Sequence, residues 1–456
     1  VDARWLSGGG RVIALLAIVS SVLVMLRPEG RGSQIQMWTF ARMHARMYEP
    51  VLSRWREEGF ADIGVRVLSL DALQRRMLGG FLADVPTADL LEVERRMAGS
   101  AFAGPLDAVG FVDLTSRIRA DGLDKEIAGA SFSPWTSRGR IFGLPHDVHP
   151  VMLCYRADIT DRYGIDMDSI ETWDDFESVM RPVMVDEDGD GEIDHYPIAF
   201  GTNSRDQIEV LLLQAGGGFF DEQDRLAIDS EINAAVLARL CGWVVGDTRI
   251  AADAPDFSAG GNKLRLDGYV VCTIMPDWLA NYWRDQLPGL SGKVRLMPLP
   301  AFSEGGRRTS VWGGTMLGIS AASEDHDRLW EIAKRLYLSD ELARRLFVEG
   351  DIITPVKRHW DDPMFDEPDP YFSGQARGRM YIDLMGDVPR RSSSPFHALA
   401  VDRVHLAFQA LVEEARRAGG MTERERQARA RELLARAHAD VATRMKRNVF
   451  WKDAVQ

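Results

Sequence analysis

Between Pro145 and Pro150 the chain places His146, Asp147 and His149, an acid flanked by two imidazoles within four residues. Such groups exchange protons, accept or donate hydrogen bonds from both ends, and ligate metals. The prolines restrict the backbone on both flanks. The apolar run beginning at Ile141 and the run from Val151 to Tyr155 read as buried strands on either side. The turn is therefore a rigid crossing between two sheets, and the expected setting is a cleft between two lobes. No further His or Cys stands at ligand spacing nearby, so histidines hydrogen-bonded at the lobe interface are expected rather than a metal pair.

A second constellation is Asp186-Glu-Asp-Gly-Asp-Gly-Glu-Ile-Asp194. Asp186, Asp188, Asp190, Glu192 and Asp194 take places one, three, five, seven and nine of a calcium loop, with Gly191 at the sharp turn. Ca²⁺ wants six to eight hard oxygens, and alternate residues of a tight loop can point inward to supply them. The twelfth place holds Pro197 instead of the bidentate glutamate. A structural Ca²⁺ with a ligand from elsewhere is expected, against the alternative of a solvated acidic turn. No organic cofactor is implied.

The elements that position these groups alternate. A strand at Ile35–Phe40 leads to a helix at His44–Glu58, whose Met47, Val51, Leu52 and Trp55 follow helical spacing. A strand at Val65–Leu70, a helix at Asp71–Leu82 and a strand at Ala88–Val93 continue the pattern, which predicts an α/β lobe with a mostly parallel sheet. Ligands in such lobes sit at the carboxyl ends of strands, which nominates Trp38, Phe40 and Glu92. Beyond the crossing, Thr172 caps a helix over Trp173–Met184, with helices at Arg205–Ala215 and Ser230–Gly246 and strands at Tyr269–Ile274, Val294–Leu299 and Thr315–Ser320. Helices at Asp325–Leu338, Asp340–Glu349, Phe396–Ala418 and Thr422–Arg447 close the chain.

With 456 residues, 45% of them hydrophobic, the chain is long enough for two or three domains with real cores. Its formal charge of -13 disfavours nucleic-acid binding. Cys154, Cys241 and Cys272 each lie in an apolar run and read as buried thiols, with one bridged pair left open. Arg4 and Arg11 precede an apolar run from Val12 to Leu26, which ends at Arg27 and Pro28. This is the pattern of an export signal over residues 1–33, either a signal peptide or an uncleaved signal anchor. The run is shorter than the about 20 residues of an ordinary membrane span.

The order of several segments resembles the extracellular solute-binding proteins of bacterial ABC importers, in particular the carbohydrate-binding, maltose-binding-like group. They are the apolar leader, Trp38-Thr-Phe40, the stretch Gly143–Ile159, Thr172–Met180, Met275–Trp283, Ser310–Ser320 and Leu338–Val356. The resemblance implies two α/β lobes of the type II periplasmic-binding fold, each a mostly parallel sheet flanked by helices, closing on a ligand about a hinge. It implies a first lobe of 34–152 with 312–370, and a second of 153–311 with 371–456, including the C-terminal helices. The implied partners are a carbohydrate and the permease subunits of an importer, for a monomeric, exported, periplasmic or extracytoplasmic protein that touches the membrane only through its N-terminal segment.

A sugar presents apolar C–H faces and a rim of hydroxyls, so its binder needs flat aromatic platforms and polar groups that donate and accept. Trp38, Trp278 and Trp312 fall at strand-to-loop junctions and suit a platform or an interlobe packing role, whereas Trp243 and Trp330 sit in amphipathic helices and belong to the core. Asp147, Glu92 and Asp277 are candidate acceptors of hydroxyls, or else caps of neighbouring backbone. His146, His149 and Tyr155 line the same crossing, and Gly313 and Gly314 allow close approach of backbone to ligand. No Gly-x-Ser-x-Gly elbow, His-Glu-x-x-His motif or phosphate loop is present, so no catalytic residues are expected. The alternatives are capture of a polyamine, peptide or other small solute by the same fold, and a membrane-anchored carbohydrate-active enzyme or sensor.

Overall fold

The computed structural model describes residues 15–16, 34–83 and 85–451. The export-signal segment lies outside the described residues apart from Leu15 and Leu16. Among the described residues no helix is long and apolar enough to cross a membrane.

The first sheet takes β1 (Ile35–Thr39), β2 (Ile63–Val67), β3 (Leu90–Glu94), β6 (Leu144–Pro145) and β12 (Thr315–Ile319), in the order β2-β1-β3-β12-β6. A short hairpin, β4 (Thr136–Ser137) and β5 (Arg140–Ile141), stands beside it. The second sheet takes β7 (Val151–Arg156), β8 (Tyr196–Ala199), β9 (Ala251–Ala252), β10 (Val270–Pro276) and β11 (Val294–Pro298), in the order β11-β7-β10-β8-β9. β1 runs parallel to β2 and β3, and β8 parallel to β9 and β10. The strands at the crossings run against their neighbours: β12 against β3 and β6, and β7 against β10 and β11. A chain arriving from the other lobe enters the sheet from the opposite end, and its direction is reversed accordingly. The fold is thus two α/β lobes, each a sheet flanked by helices.

Local signals set most element ends. The Thr172 hydroxyl and the Asp175 carboxylate form a reciprocal capping box. The helix they start ends at Met180, four residues short of the expected limit, because Pro182 turns the chain into a single 3₁₀ turn over Arg181–Val183. The C-terminal helices His397–Arg417 and Glu423–Lys446 pack on the second lobe, where Phe408, Leu411, Leu434 and Val441 share a core with Leu237, Leu240 and Cys241. Trp451 then reaches back to the first lobe. Its indole donates to the Phe102 carbonyl (3.0 Å), and Arg138 lies over its ring. Trp243 and Trp330 are buried in the cores of the second and first lobes, and all three cysteines are buried free thiols.

Candidate functional site

The passages between the sheets are tied together by buried ionisable side chains. His149, between β6 and β7, has a left-handed backbone (φ 52°). Only a strongly determined environment holds a non-glycine residue there. Its imidazole supplies that environment, with Nδ1 2.7 Å from Asp277 Oδ1 and Nε2 3.1 Å from Asp147 Oδ2. Its carbonyl accepts the Trp312 N–H (3.2 Å), and Pro150 bridges to Val311. Asp147 also accepts the Thr315 N–H (3.0 Å), which pins the return passage into β12. Asp277 accepts the N–H groups of Trp278 and Ile353, each at 2.8 Å, bringing in a later passage near residue 353.

Burial opposes charge on His149, but Asp147 and Asp277 on either side raise its pKa to about 10. Asp147 is likewise penalised by burial, yet His149 and His146 hold it well below the usual carboxylate range. At neutral pH the assembly is an imidazolium between two carboxylates. The space beside Gly313 is also filled by protein. A Cβ there would meet His149 Cδ2 at 2.5 Å and Trp278 Nε1 at 3.0 Å, so the close approach this glycine permits is to those side chains. At Gly314 a Cβ would meet an Arg391 Nη at 3.0 Å.

Glu92, the central residue of β3 and not its carboxyl end as expected, is fully buried and saturated. It accepts from the Thr39 hydroxyl (2.5 Å), from His44 Nδ1 (2.8 Å), and from the hydroxyls of Tyr48 and Tyr337. Burial would raise its pKa, but His44 and the other donors outweigh that and hold it at about 2. Just past the end of β3, at the start of the helix Arg95–Ala101, Arg95 spans to the second lobe. Its Nη2 lies 2.6 Å from Glu209, which also meets His397 Nε2 at 2.8 Å. Arg391 inserts nearby and donates to the Gly313 carbonyl.

An open face remains beside this lattice. Trp278 is half-buried and packs against cores of both lobes. Phe257, 60% exposed, stacks almost parallel to it (5.9 Å, 8°), and Tyr282 stands edge-on to Phe257 (4.8 Å). Trp312 is edge-on behind Trp278, whose Nε1 donates to the Trp312 carbonyl (2.8 Å).

The structure therefore brings together His146, Asp147, His149, Asp277, Trp278, Trp312, Gly313 and Gly314 at the crossings, and places Glu92 in the first-lobe interior. The oxygens of Glu92, Asp147 and Asp277 are engaged by protein donors. Trp38 and Phe40 pack against a first-lobe core with Trp135 and Phe142. Tyr155 lies well along β7, in the second-lobe core. Phe257 carried no regular pattern in sequence, and the available signal was an isolated aromatic between Pro255 and the helix-capping Ser258. His44 and Tyr48 stand four apart on the helix Arg42–Glu57, polar groups on its buried stripe. That anomaly on an apolar face marks the Glu92 network.

In the acidic loop, Asp186, Asp188 and Asp194 each offer an oxygen within 4.8 Å of the others. Asp186 accepts the N–H groups of Gly189 (2.6 Å), Asp190 (3.2 Å) and Gly191 (2.8 Å), around glycines at φ 78° and 92°. Asp190 instead accepts the Glu192 N–H (2.8 Å).

The chain matches the family model of the bacterial extracellular solute-binding proteins over residues 45–338. It is similar to an arabinooligosaccharide-binding protein of Halalkalibacterium halodurans, with 24% identity over 368 residues, 78% of this chain and 78% of that protein. In fold it is similar to the sugar-binding protein MalE from the phytopathogen Xanthomonas citri, with a TM-score of 0.72 and 18% identity over 90% of this chain and 98% of that one. It is also similar to an ABC transporter associated binding protein from B. animalis subsp. lactis Bl-04 in complex with beta-1,6-galactobiose, with a TM-score of 0.67 and 14% identity over 90% and 97% of the two chains.

Proposed function

The chain belongs to the bacterial extracellular solute-binding proteins, and from that premise we propose that it captures an oligosaccharide between its lobes and presents it to an ABC importer. It would act as an exported monomer, without turnover of the sugar, and its N-terminal segment would serve as signal or anchor. The observation that carries the ligand class is the stack of Phe257 on Trp278 with Tyr282 beside it, an exposed aromatic face where the passages between the lobes converge. Flat apolar rings of this kind match the C–H face of a pyranose or furanose. Because Trp278 touches cores on both sides, a ligand on that face favours one lobe arrangement by the difference in contact free energy.

The test is calorimetric titration with arabino-, malto- and galacto-oligosaccharides. Trp278→Ala is expected to weaken binding by about 10- to 100-fold, corresponding to ~1–3 kcal/mol for a buried aromatic anchor. Phe257→Ala, at an exposed loop position, is expected to weaken it without lowering the melting temperature. Unchanged affinity in both variants removes this face from the site. Stabilisation by a polyamine or peptide and by no sugar overturns the carbohydrate reading.

We further propose that the Asp186–Asp194 loop holds a structural Ca²⁺. The convergence of Asp186, Asp188 and Asp194 around a glycine-rich turn supports this, and hard carboxylate oxygens suit the ion. The missing twelfth ligand points to an affinity below that of a complete loop. Calcium at millimolar concentration is expected to raise the melting temperature by a few degrees, by mass action on the native state. Asp188→Ala should abolish that shift, and a wild-type protein indifferent to calcium would leave an ordinary acidic turn.

A further inference from the structure

A histidine held through one ring nitrogen by a carboxylate, with the other nitrogen bare, has the orientation and tautomer that metal-binding histidines are given by their surroundings. His146 is in this state. It is 2% exposed, its Nδ1 lies 3.1 Å from Asp147 Oδ2, and its buried Nε2 has no hydrogen-bond partner. Asp147 is the ionised partner of His149, so the proton between it and His146 sits on Nδ1 and the Nε2 lone pair is free. A lone pair of this kind, buried and without a hydrogen-bond partner, is what an imidazole offers a metal.

Two further ligands face it. The His44 ring lies 4.2 Å from that of His146, centroid to centroid and tilted by 31°. Glu92 meets His44 Nδ1 at 2.8 Å. One ligand atom from each of His44, Glu92 and His146 lies within 4.8 Å of the others. A four-coordinate ion with bonds of about 2.0–2.2 Å sets its ligands roughly 3.4 Å apart, so small side-chain movements suffice. The Tyr48 and Tyr337 hydroxyls hold the second oxygen of Glu92, as outer groups commonly do for a ligating carboxylate.

We propose that His44, Glu92 and His146 form a binding site for a late first-row divalent cation, in the first-lobe interior directly beneath the interlobe crossing. Two imidazoles and one carboxylate suit zinc and are a poor set for calcium or magnesium. His44 would bind through Nδ1, exchanging its bond to Glu92 for the metal, and any proton held on that nitrogen would leave it as the metal binds. The ion would tie together the helix Arg42–Glu57, β3 and the crossing segment.

The experiment uses the full chain without a histidine tag, stripped with chelator, saturated with calcium to occupy the acidic loop, and given zinc before gel filtration. About one zinc per chain is expected to co-elute with the wild type and with Asp188→Ala. His146→Gln and His44→Gln are each expected to retain less than a tenth of that. A wild type that retains no zinc, or histidine variants that retain it in full, overturns the site. If either variant fails to fold, the ring signals of the wild-type histidines on zinc titration decide. Selective shifts at His44 and His146 support the assignment, and shifts confined to other histidines overturn it.

Discussion

Glu92→Leu is expected to destabilise the protein by about 3–5 kcal/mol, the cost of removing one member of a buried, fully paired charged network. Leucine nearly fills the volume, so the loss is electrostatic rather than a cavity. The Thr39, Tyr48 and Tyr337 hydroxyls and His44 Nδ1 all converge on this carboxylate, and Thr39, Tyr48, His44 and Tyr337 are themselves buried. Each donor left without a partner costs about 1–3 kcal/mol before relaxation. Rotation of the hydroxyls toward other acceptors recovers part of this, which is why the total falls below the sum. Glu92→Gln should lie between, since its carbonyl can still accept while its amide opposes one of the donors. Urea denaturation of the three proteins checks the order. A loss under about 1 kcal/mol in Glu92→Leu would mean that this network does not hold the first lobe together.

The same residue shows where sequence reasoning reaches its limit. The strand that carries Glu92 and its ionisable character were legible, because strand and helix periodicities in this chain are strong, although Glu92 stands in the middle of β3 and not at its carboxyl end. Its partners were not. Tyr337 is 245 positions away, and nothing local in either segment records that the two will meet. The crossing turn behaves similarly. Paired prolines announced rigidity around His146, Asp147 and His149, whereas Asp277 and Thr315 became their partners only once the return passages were in place. Acceptors that looked free for a ligand proved to be committed to backbone and imidazole groups, because passages between lobes leave polar backbone atoms that must be satisfied internally. Trp278 and Trp312 were visible as aromatics at junctions. Phe257, which provides the most exposed ring of the face, has its position set by a loop whose course depends on the tertiary structure.

The commitment of those groups makes the crossing sensitive to alkaline pH, and this is the second large effect expected. His149 titrates near 6.5 when free and at about 10 in the folded chain, because Asp147 and Asp277 outweigh the cost of its burial. A group with a raised folded pKa binds its proton more tightly when folded. Its contribution is therefore complete below pH 6.5 and is lost as pH rises through 10. Asp147 and Glu92 have the opposite sign: their depressed pKa values contribute above the normal carboxylate range and are lost on acidification. Between roughly pH 5 and 6.5 all three contributions coexist. From pH 6.5 to 10 the wild type should lose on the order of 3–5 kcal/mol, with a slope approaching about 1.4 kcal/mol per pH unit. His149→Gln should be less stable at pH 6, because two carboxylates lose their cation, and should lack that slope. The difference between the two proteins removes background titration by the other histidines, lysines and tyrosines. Parallel pH profiles for wild type and variant would sink the assignment, whereas profiles that approach each other from pH 6.5 and meet only above about pH 10 would place the lost proton on the imidazole that joins the two lobes.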